Sequence, residues 1–212
     1  MKAAYAQSAI RDRELKVSRI KELNDPFEFM PALPFVHPSW PPERVDQSLE
    51  FLREDFHPIV GIISMSARVD DPVIWSHYAD KHRGIALGFD LFLDDSLMMM
   101  TYPKDRPAID MDRFEKMSAA ERMNMVRNIL CAKAPSWCHE MEYRAFVELK
   151  SCREKAGSYF HKLPDDCLKH VILGVRCETT EDEISTLLGA SGFSEVVISK
   201  ARRCPTRFAV LV

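Results

Sequence analysis

The chain has 212 residues, of which 46% are hydrophobic and 29% are charged, and its formal net charge is −3. This composition is that of a globular protein, and it excludes a disordered or collagen-like chain. The net charge argues against a nucleic-acid partner held by bulk electrostatics alone, although one local basic cluster is present. That cluster consists of Lys200, Arg202, Arg203 and Arg207.

The cysteines and the apolar segments indicate where the protein resides. None of the six cysteines falls in a C-x-x-C pair, so neither a zinc ribbon nor a thioredoxin-like site is supported. Residues 1–13 carry charges without an apolar run, which argues against a signal peptide. No segment approaches the roughly 18 apolar residues that span a bilayer. We therefore expect a cytoplasmic protein with reduced thiols and no membrane contact.

The first half of the chain predicts three strands and two helices in alternation. Each helix begins with a proline at its first turn, and Asp71 precedes the second proline as a capping carboxylate. Gly84 is typical of a left-handed helix terminator. In chain order, the predicted elements are a strand at Glu14–Ser18, a helix from Pro42 to about Phe56, a strand at Ile59–Ser66, a helix from Pro72 to Gly84, and a strand at Ile85–Phe89.

The second half is richer in strands. Ser118 and Glu121 form a capping-box pattern that opens a helix extending to about Lys133. The later elements are strands at Glu142–Leu149, Val171–Val175, Glu195–Ser199 and Arg207–Val212, with a helix at Thr180–Leu188. Without a glycine-rich phosphate loop, the pattern favours an α+β fold over a doubly wound one. We expect a single domain over residues 1–212, with a mixed, mostly antiparallel sheet flanked by helices.

Two short polar strings are the first candidates for a site. Asp25 and Glu28 lie in the string Asn-Asp-Pro-Phe-Glu, which is either a capped turn or a rigid loop that displays two carboxylates. Ser64 and Ser66 lie near the end of a predicted strand. Residues two apart on a strand face the same side, so both hydroxyls are expected to point together, toward a ribose, an amide or a local turn.

A third string places aromatic and imidazole groups on the second predicted helix. Trp75, Tyr78 and His82 recur with helical spacing and predict one helix face, whereas His77 lies off it. Such a stripe is either core or the wall of a pocket, and its polar ring atoms need partners when they are buried. The five-residue gap between the histidines is wrong for two metal ligands on one face, so we expect no metal pair.

The fourth string runs from Trp137 to Arg144. On a strand, Glu140, Glu142 and Arg144 point to the same side, so we expect either an ion-paired solvent face or a polar pocket.

Together, these strings resemble the bacterial domain-of-unknown-function family 2971. The matching segments are Leu23–Glu28, Trp75–Gly84, Gly88–Asp90, Trp137–Arg144 and Ile172–Gly174. The resemblance implies a bacterial protein loosely associated with defence against phage, as a toxin or effector.

A second resemblance is to the ADP-ribosyltransferase fold, which carries a Ser-Thr-Ser-like strand, then a helix, then a Glu-x-Glu strand. It implies that NAD is the small-molecule nucleotide bound. Glu142 would stabilise the oxocarbenium-like ribose, and Glu140 would orient or deprotonate the acceptor. Ser64 would hold the ribose, and Tyr78 would stack on the nicotinamide. The other candidates for the NAD pocket are Ser66, Trp75, His77, His82, Asp25, Glu28 and Arg144.

The first strand departs from that fold, which carries Arg or His there. Three explanations are open: the enzyme is inactive, Arg19 substitutes for the missing residue, or the resemblance is misleading. Two alternatives therefore stay open. The first is a non-enzymatic module that binds a ligand or protein. The second is a metal-dependent nuclease that uses the carboxylates of Asp25, Glu28, Glu140 and Glu142.

Overall fold

The computed structural model describes residues 1–33, 38–91, 97–110, 113 and 116–212. Its helices are α1 (Ala3–Asp12), α2 (Pro42–Phe56), α3 (Pro72–Tyr78), α4 (Ala119–Leu130) and α5 (Glu181–Ala190), with 3-10 turns at Ile20–Glu22, Pro135–Glu140 and Leu149–Ser151. Its strands are β1 (Glu14–Arg19), β2 (Val60–Ser66), β3 (Ile85–Phe89), β4 (Leu97–Met99), β5 (Glu142–Glu148), β6 (Arg153–Lys155), β7 (Ser158–Lys162), β8 (Leu168–Leu173), β9 (Val197–Lys200), β10 (Arg202–Arg203) and β11 (Val210–Leu211).

The chain divides into two compact units, each assembled from separate segments. Unit 1 comprises Met1–Lys16, Ser66–Leu93 and Arg153–Val212, and unit 2 comprises Val17–Met65 and Asp94–Cys152. The expectation of one domain over residues 1–212 stays a prediction.

Unit 1 is built on a three-stranded sheet in the order β3-β8-β9. β3 is antiparallel to β8, and β9 is parallel to β8. Because successive side chains on a strand face opposite sides, neighbouring residues of β8 enter different clusters. Val171 packs with Ile10 of α1 and Ile184 of α5, whereas Ile172 packs with Trp75 of α3 and Val210 of β11. Both faces of this small sheet are therefore covered.

Unit 2 contains four strands in the order β4-β5-β2-β1. β1 runs antiparallel to β2, with Ser18 opposite Ile62, and β4 runs antiparallel to β5, with Met98 opposite Arg144. Helix α4 places Leu130 in a cluster that includes Phe29 and Ile62. This cluster forms part of the core of unit 2, and it packs Phe29, the residue after Glu28, with residues of β2 and β5.

The expected α+β class, with a mostly antiparallel sheet flanked by helices, is confirmed. The parallel β8–β9 pair makes the pairing mixed. Among the described residues, no helix combines the length and apolar character needed to cross a bilayer.

Several local predictions were wrong. Helix α1 was missed, because its buried positions include Ala6 and Ala9, whose small side chains give a weak apolar signal. Helix α3 ends at Tyr78 instead of Gly84, since residues 80–82 all have positive φ angles. Helix α5 extends to Ala190, beyond the predicted end at Leu188, so Gly189 lies inside it. The β6–β7 hairpin was missed because its turn uses Ala156 before Gly157, where asparagine or aspartate is the usual signal.

Candidate functional site

A cluster of buried charges lies in unit 2. Its members are Glu28, Lys133, Glu140, Glu142 and Arg144, and no more than 5% of any of them is exposed. Four of these residues were candidates from sequence, and Lys133 was not. Three carboxylates and two cations removed from water require mutual pairing, because an unpaired buried charge is strongly destabilising.

Two different elements deliver the carboxylates at the start of β5. Glu140 is the last residue of a 3-10 turn, and Met141, with a φ of 43°, turns the chain before the strand begins at Glu142. The prediction that Glu140 shares a strand face with Glu142 and Arg144 was therefore wrong. The two strand residues do share a face, and both are buried.

Lys133 connects the carboxylates. Its Nζ donates to Glu140 Oε2 at 2.6 Å and to Glu142 Oε2 at 2.9 Å, and it lies 3.8 Å from Glu28 Oε1. The ammonium group also lies 4.8 Å from the centre of the Trp137 ring, a cation–π distance. The sequence did not predict Lys133 as a site residue, because tertiary packing determines which groups it contacts. Its only local feature is its position after a helix.

Arg144 completes the network. Its Nε donates to Glu142 Oε1 at 2.6 Å, its Nη2 donates to Glu142 Oε2 at 3.1 Å, and its guanidinium also pairs with Glu28. Both oxygens of Glu142 are thus engaged by cations. Its backbone N–H donates to the Tyr102 hydroxyl at 2.8 Å, so this residue is held at three points.

Protonation in the cluster follows from the balance of burial and pairing. Burial raises the pKa of Glu142, but the hydrogen bond and charge of Arg144, together with Lys133, outweigh it and lower that pKa. Burial also raises the pKa of Glu28, and there the opposing effects of Arg144 and Lys133 are too small to reverse it. Glu142 is therefore held as the anion, whereas Glu28 takes up a proton more readily than a free glutamate.

Ser64 lies on the same side of the unit 2 sheet as Glu142 and Arg144. Ile62 on β2 and Phe146 on β5 pack in one cluster, which shows that these two positions face the same side. By alternation, Ser64 and Glu142 face that side too, on strands that are neighbours in the sheet. Ser64 is exposed, whereas Glu142 and Arg144 are buried.

Asp25 is buried in the turn that leads to Glu28. Its Oδ1 accepts from the Phe27 N–H at 2.9 Å, and the Glu28 N–H donates to the Asp25 carbonyl at 3.2 Å. Asp25 Oδ2 has no hydrogen-bond partner among the described residues. The capped-turn interpretation therefore accounts for one carboxylate oxygen and leaves the other available.

Arg19 does not take the role expected for the first strand. It lies opposite Gly61, next to the Ser18–Ile62 pair, so its side chain takes the other face of the sheet from Ser64. Its guanidinium binds Glu22, with Nη2 2.8 Å from Oε1. The substitution of Arg19 for the missing strand residue was wrong.

The remaining predicted residues lie in unit 1. Trp75 is buried and stacks with His82, at 6.3 Å between ring centres, and Trp75 Nε1 donates to the Val69 carbonyl at 2.7 Å. Tyr78 is exposed and contacts the edge of His77 at 6.1 Å. The helix face that was expected to carry His82 is absent, because the helix ends before it.

Ser66 and a small cavity complete the description of unit 1. The Ser66 hydroxyl accepts from the Arg68 N–H at 3.0 Å and donates to the Arg68 carbonyl. Ser66 therefore stabilises a local turn, one of the roles expected from the sequence. A cavity of about 70 Å³ lies beside Trp75 and Tyr78. Small-molecule pockets measure several hundred Å³, so this cavity is smaller than a pocket for a nucleotide. The structure thus places the predicted residues in two groups, one in each unit.

Three of the four carboxylates expected for a nuclease are paired with cations, and the fourth, Asp25, lies in the turn described above. Glu140 and Glu142 bind Lys133, and Glu28 binds Arg144. In the part of the chain that the structure describes, no group of three His, Cys, Asp or Glu residues is arranged to hold a metal ion.

No protein-family model, curated protein or solved structure matches this chain.

Proposed function

We propose that this chain is an ADP-ribosyltransferase-like enzyme that uses NAD, with Glu142 as the carboxylate that faces the nicotinamide ribose. The observation that carries the proposal is the position of Ser64 and Glu142. They lie on neighbouring strands and face the same side of one sheet. A hydroxyl that holds the ribose and an anion beside it are the two groups that this chemistry needs in one place.

The reaction makes use of the charge on Glu142. When the bond between nicotinamide and ribose breaks, nicotinamide leaves with the electron pair, and the ribose carbon becomes an oxocarbenium-like cation. A fixed anion stabilises that cation, and exclusion of water strengthens the interaction. The lowered pKa of Glu142, in which Arg144 and Lys133 overcome the effect of burial, keeps this carboxylate ionised at neutral pH.

Glu140 acts on the acceptor in this proposal. The acceptor's nucleophile attacks the ribose carbon and gives its proton to the Glu140 carboxylate. Lys133 holds that carboxylate at 2.6 Å, so the two glutamates keep a fixed relation to each other. In a bacterial cell, NAD consumption or modification of an essential component would be the output of a toxin or defence effector.

One observation favours a second function, a non-enzymatic module that binds a ligand or protein. Both oxygens of Glu142 contact cations, and 4% of the residue is exposed. A carboxylate whose charge is shared with two cations stabilises a third cation less strongly. In that function the cluster holds the ends of β2 and β5 in place, and the exposed Ser64 edge contacts the ligand.

Release of nicotinamide distinguishes the two functions. The purified chain is mixed with NAD labelled in nicotinamide, with and without protein, RNA or DNA as acceptor, and free nicotinamide is measured. Glu142→Gln keeps the shape of the side chain and removes its charge, so it should lower release by about 100-fold or more. Glu148→Gln on the same strand is the matched control, because Glu148 is exposed and pairs with Lys150.

If Glu142→Gln does not fold, Ser64→Ala keeps the test informative. Ser64 is exposed, so its loss should leave folding intact and weaken NAD binding measured by calorimetry. Wild-type protein that neither binds NAD nor releases nicotinamide with any acceptor would eliminate the transferase and leave the binding module.

A further inference from the structure

Unit 1 ends in a basic hairpin. It spans residues 202–211, where β10 and β11 pair antiparallel with Arg202 opposite Leu211 and Arg203 opposite Val210. Arg202, Arg203 and Arg207 are all exposed. The proposed NAD chemistry makes no use of this hairpin.

The base of the basic hairpin is anchored to unit 1. Ala201 and Val210 are buried in the cluster that contains Trp75. The Val210 N–H donates to the Asp70 carbonyl at 2.9 Å, and the Cys204 N–H donates to the Ala209 carbonyl at 2.9 Å. These contacts hold both strands of the hairpin against unit 1.

Phe208 is the most unusual residue of the tip. It is fully exposed, with a relative exposure of 102%. Leaving a phenylalanine entirely in water forgoes the favourable burial that its ring normally gains. Phe208 follows Arg207 in the sequence, and the same segment contains Arg202 and Arg203.

We propose that the basic hairpin binds single-stranded nucleic acid. The guanidinium groups match phosphate oxygens through their planar donors, and the exposed ring of Phe208 offers a stacking platform for an unpaired base. Duplexes keep their bases stacked on each other, so the ring selects single strands. The proposal does not depend on the NAD chemistry.

A single aromatic ring favours a nucleic acid over a lipid surface. Binding to a bilayer scales with the apolar area inserted, and stable attachment uses an extended apolar face. Here the tip offers Phe208 with Pro205 and Thr206 beside it. The overall net charge of −3 weakens long-range attraction, so binding is local and should be strongest at low salt.

The test measures fluorescence anisotropy of a labelled 15-nucleotide single-stranded RNA at several salt concentrations. Arg202 and Arg203 are neighbours on β10 and therefore face opposite sides of the hairpin, so a bound strand meets one of them together with Arg207. Each phosphate contact on a single strand contributes about 0.7 to the logarithmic salt dependence, so these two contacts predict a slope of about −1.4. Arg202→Gln with Arg203→Gln removes the contact on either face and should make that slope shallower by about 0.7. Arg11→Gln with Arg83→Gln makes the same charge change at two other exposed arginines and should leave the slope unchanged.

Phe208 gives an independent measurement. Phe208→Ala should weaken binding by roughly 5- to 100-fold without changing the salt slope, because stacking releases no counterions. Phe208→Trp should restore or strengthen binding. The ring is fully exposed, so neither change should alter the melting temperature.

The alkylation rate of Cys204 tests whether the nucleic acid binds at the hairpin. Hydrogen bonds from the Thr206 backbone and side chain, with further ones from Arg207, lower the pKa of this thiol to about 7. Iodoacetamide should therefore alkylate it readily at neutral pH, and bound RNA should slow that reaction while leaving the exposed Cys138 unaffected.

Three results would overturn the proposal. They are no anisotropy change at 50 mM salt, equal affinity for wild type and both hairpin variants, or tighter binding to vesicles of anionic phospholipid than to RNA.

Discussion

The rings of Trp75 and His82 lie nearly parallel, with an interplanar angle of 11° and 6.3 Å between their centres. Trp75 is on α3, which ends at Tyr78, and His82 comes after it. The intervening residues Asp80 and Lys81, and His82 itself, all have positive φ angles, which reverse the chain toward the indole. Non-glycine residues in this conformation are uncommon, so burial of Trp75 helps to hold the turn.

Trp75→Ala should lower the free energy of unfolding by about 3–5 kcal/mol, because it removes a fully packed side chain and leaves a cavity. Trp75 is 3% exposed and belongs to the cluster that includes Ile172 and Val210. Urea denaturation followed by circular dichroism measures the change. Val73→Ala on the same helix is the control, since Val73 is exposed and should change stability little. Equal stability of both variants would contradict the packing described here.

Lys133→Met should destabilise the fold by about 3–5 kcal/mol, because Glu140 and Glu142 would stay buried without the cation that binds both. Lys150→Met removes a lysine that pairs with Glu148 at 2.9 Å on the surface, and it should cost less than about 1 kcal/mol. Chemical denaturation of both variants gives the comparison. Similar losses would mean that Lys133 is hydrated and not buried in the network.

Glu28→Gln should alter the pH dependence of stability. The pKa of Glu28 is raised in the folded state, mainly by burial, so the native protein holds this proton more tightly than the unfolded chain. The contribution of Glu28 to stability is fully present below the ordinary glutamate pKa of 4.5 and is lost as pH rises through the folded pKa.

The difference in unfolding free energy between wild type and Glu28→Gln should therefore shift against wild type as pH rises above 4.5, and then level off. Urea denaturation between pH 4 and pH 8 measures this difference, with Glu148→Gln as the exposed control. A difference that moves in favour of wild type over this range would show that Arg144 and Lys133 outweigh burial at Glu28.

Two glycine-to-alanine changes should have opposite signs. Gly157 has a φ of 74° in the β6–β7 turn, and a Cβ there would meet nothing within 4 Å, so Gly157→Ala destabilises through backbone strain alone, by about 1 kcal/mol. Gly189 lies in α5 with equally open space, and Gly189→Ala should stabilise by up to about 1 kcal/mol. Melting temperatures of the two variants test both signs. Two shifts in the same direction would contradict the assigned backbone conformations.

The sequence by itself determined the features that depend on neighbouring residues. Ser118 and Glu121 form the capping box that opens α4, and Asp71 caps α3 by accepting from the Val73 N–H. Strand Ile85–Phe89 was predicted with its observed limits. These signals are local because a cap or a strand period involves residues within a few positions of one another, so they can be recognised without a fold.

Only the tertiary structure decided the charge network and its protonation. The sequence named Glu28, Glu140, Glu142 and Arg144, but not Lys133. Lys133 binds Glu140 and Glu142, and it lies within ion-pair distance of Glu28. Glu28 lies more than a hundred residues from its partners in the chain, and no local pattern specifies such a contact. Ion pairing and burial depend on which distant segments of the chain pack together. That packing determines whether a glutamate is a solvated surface group or a buried anion held by two cations.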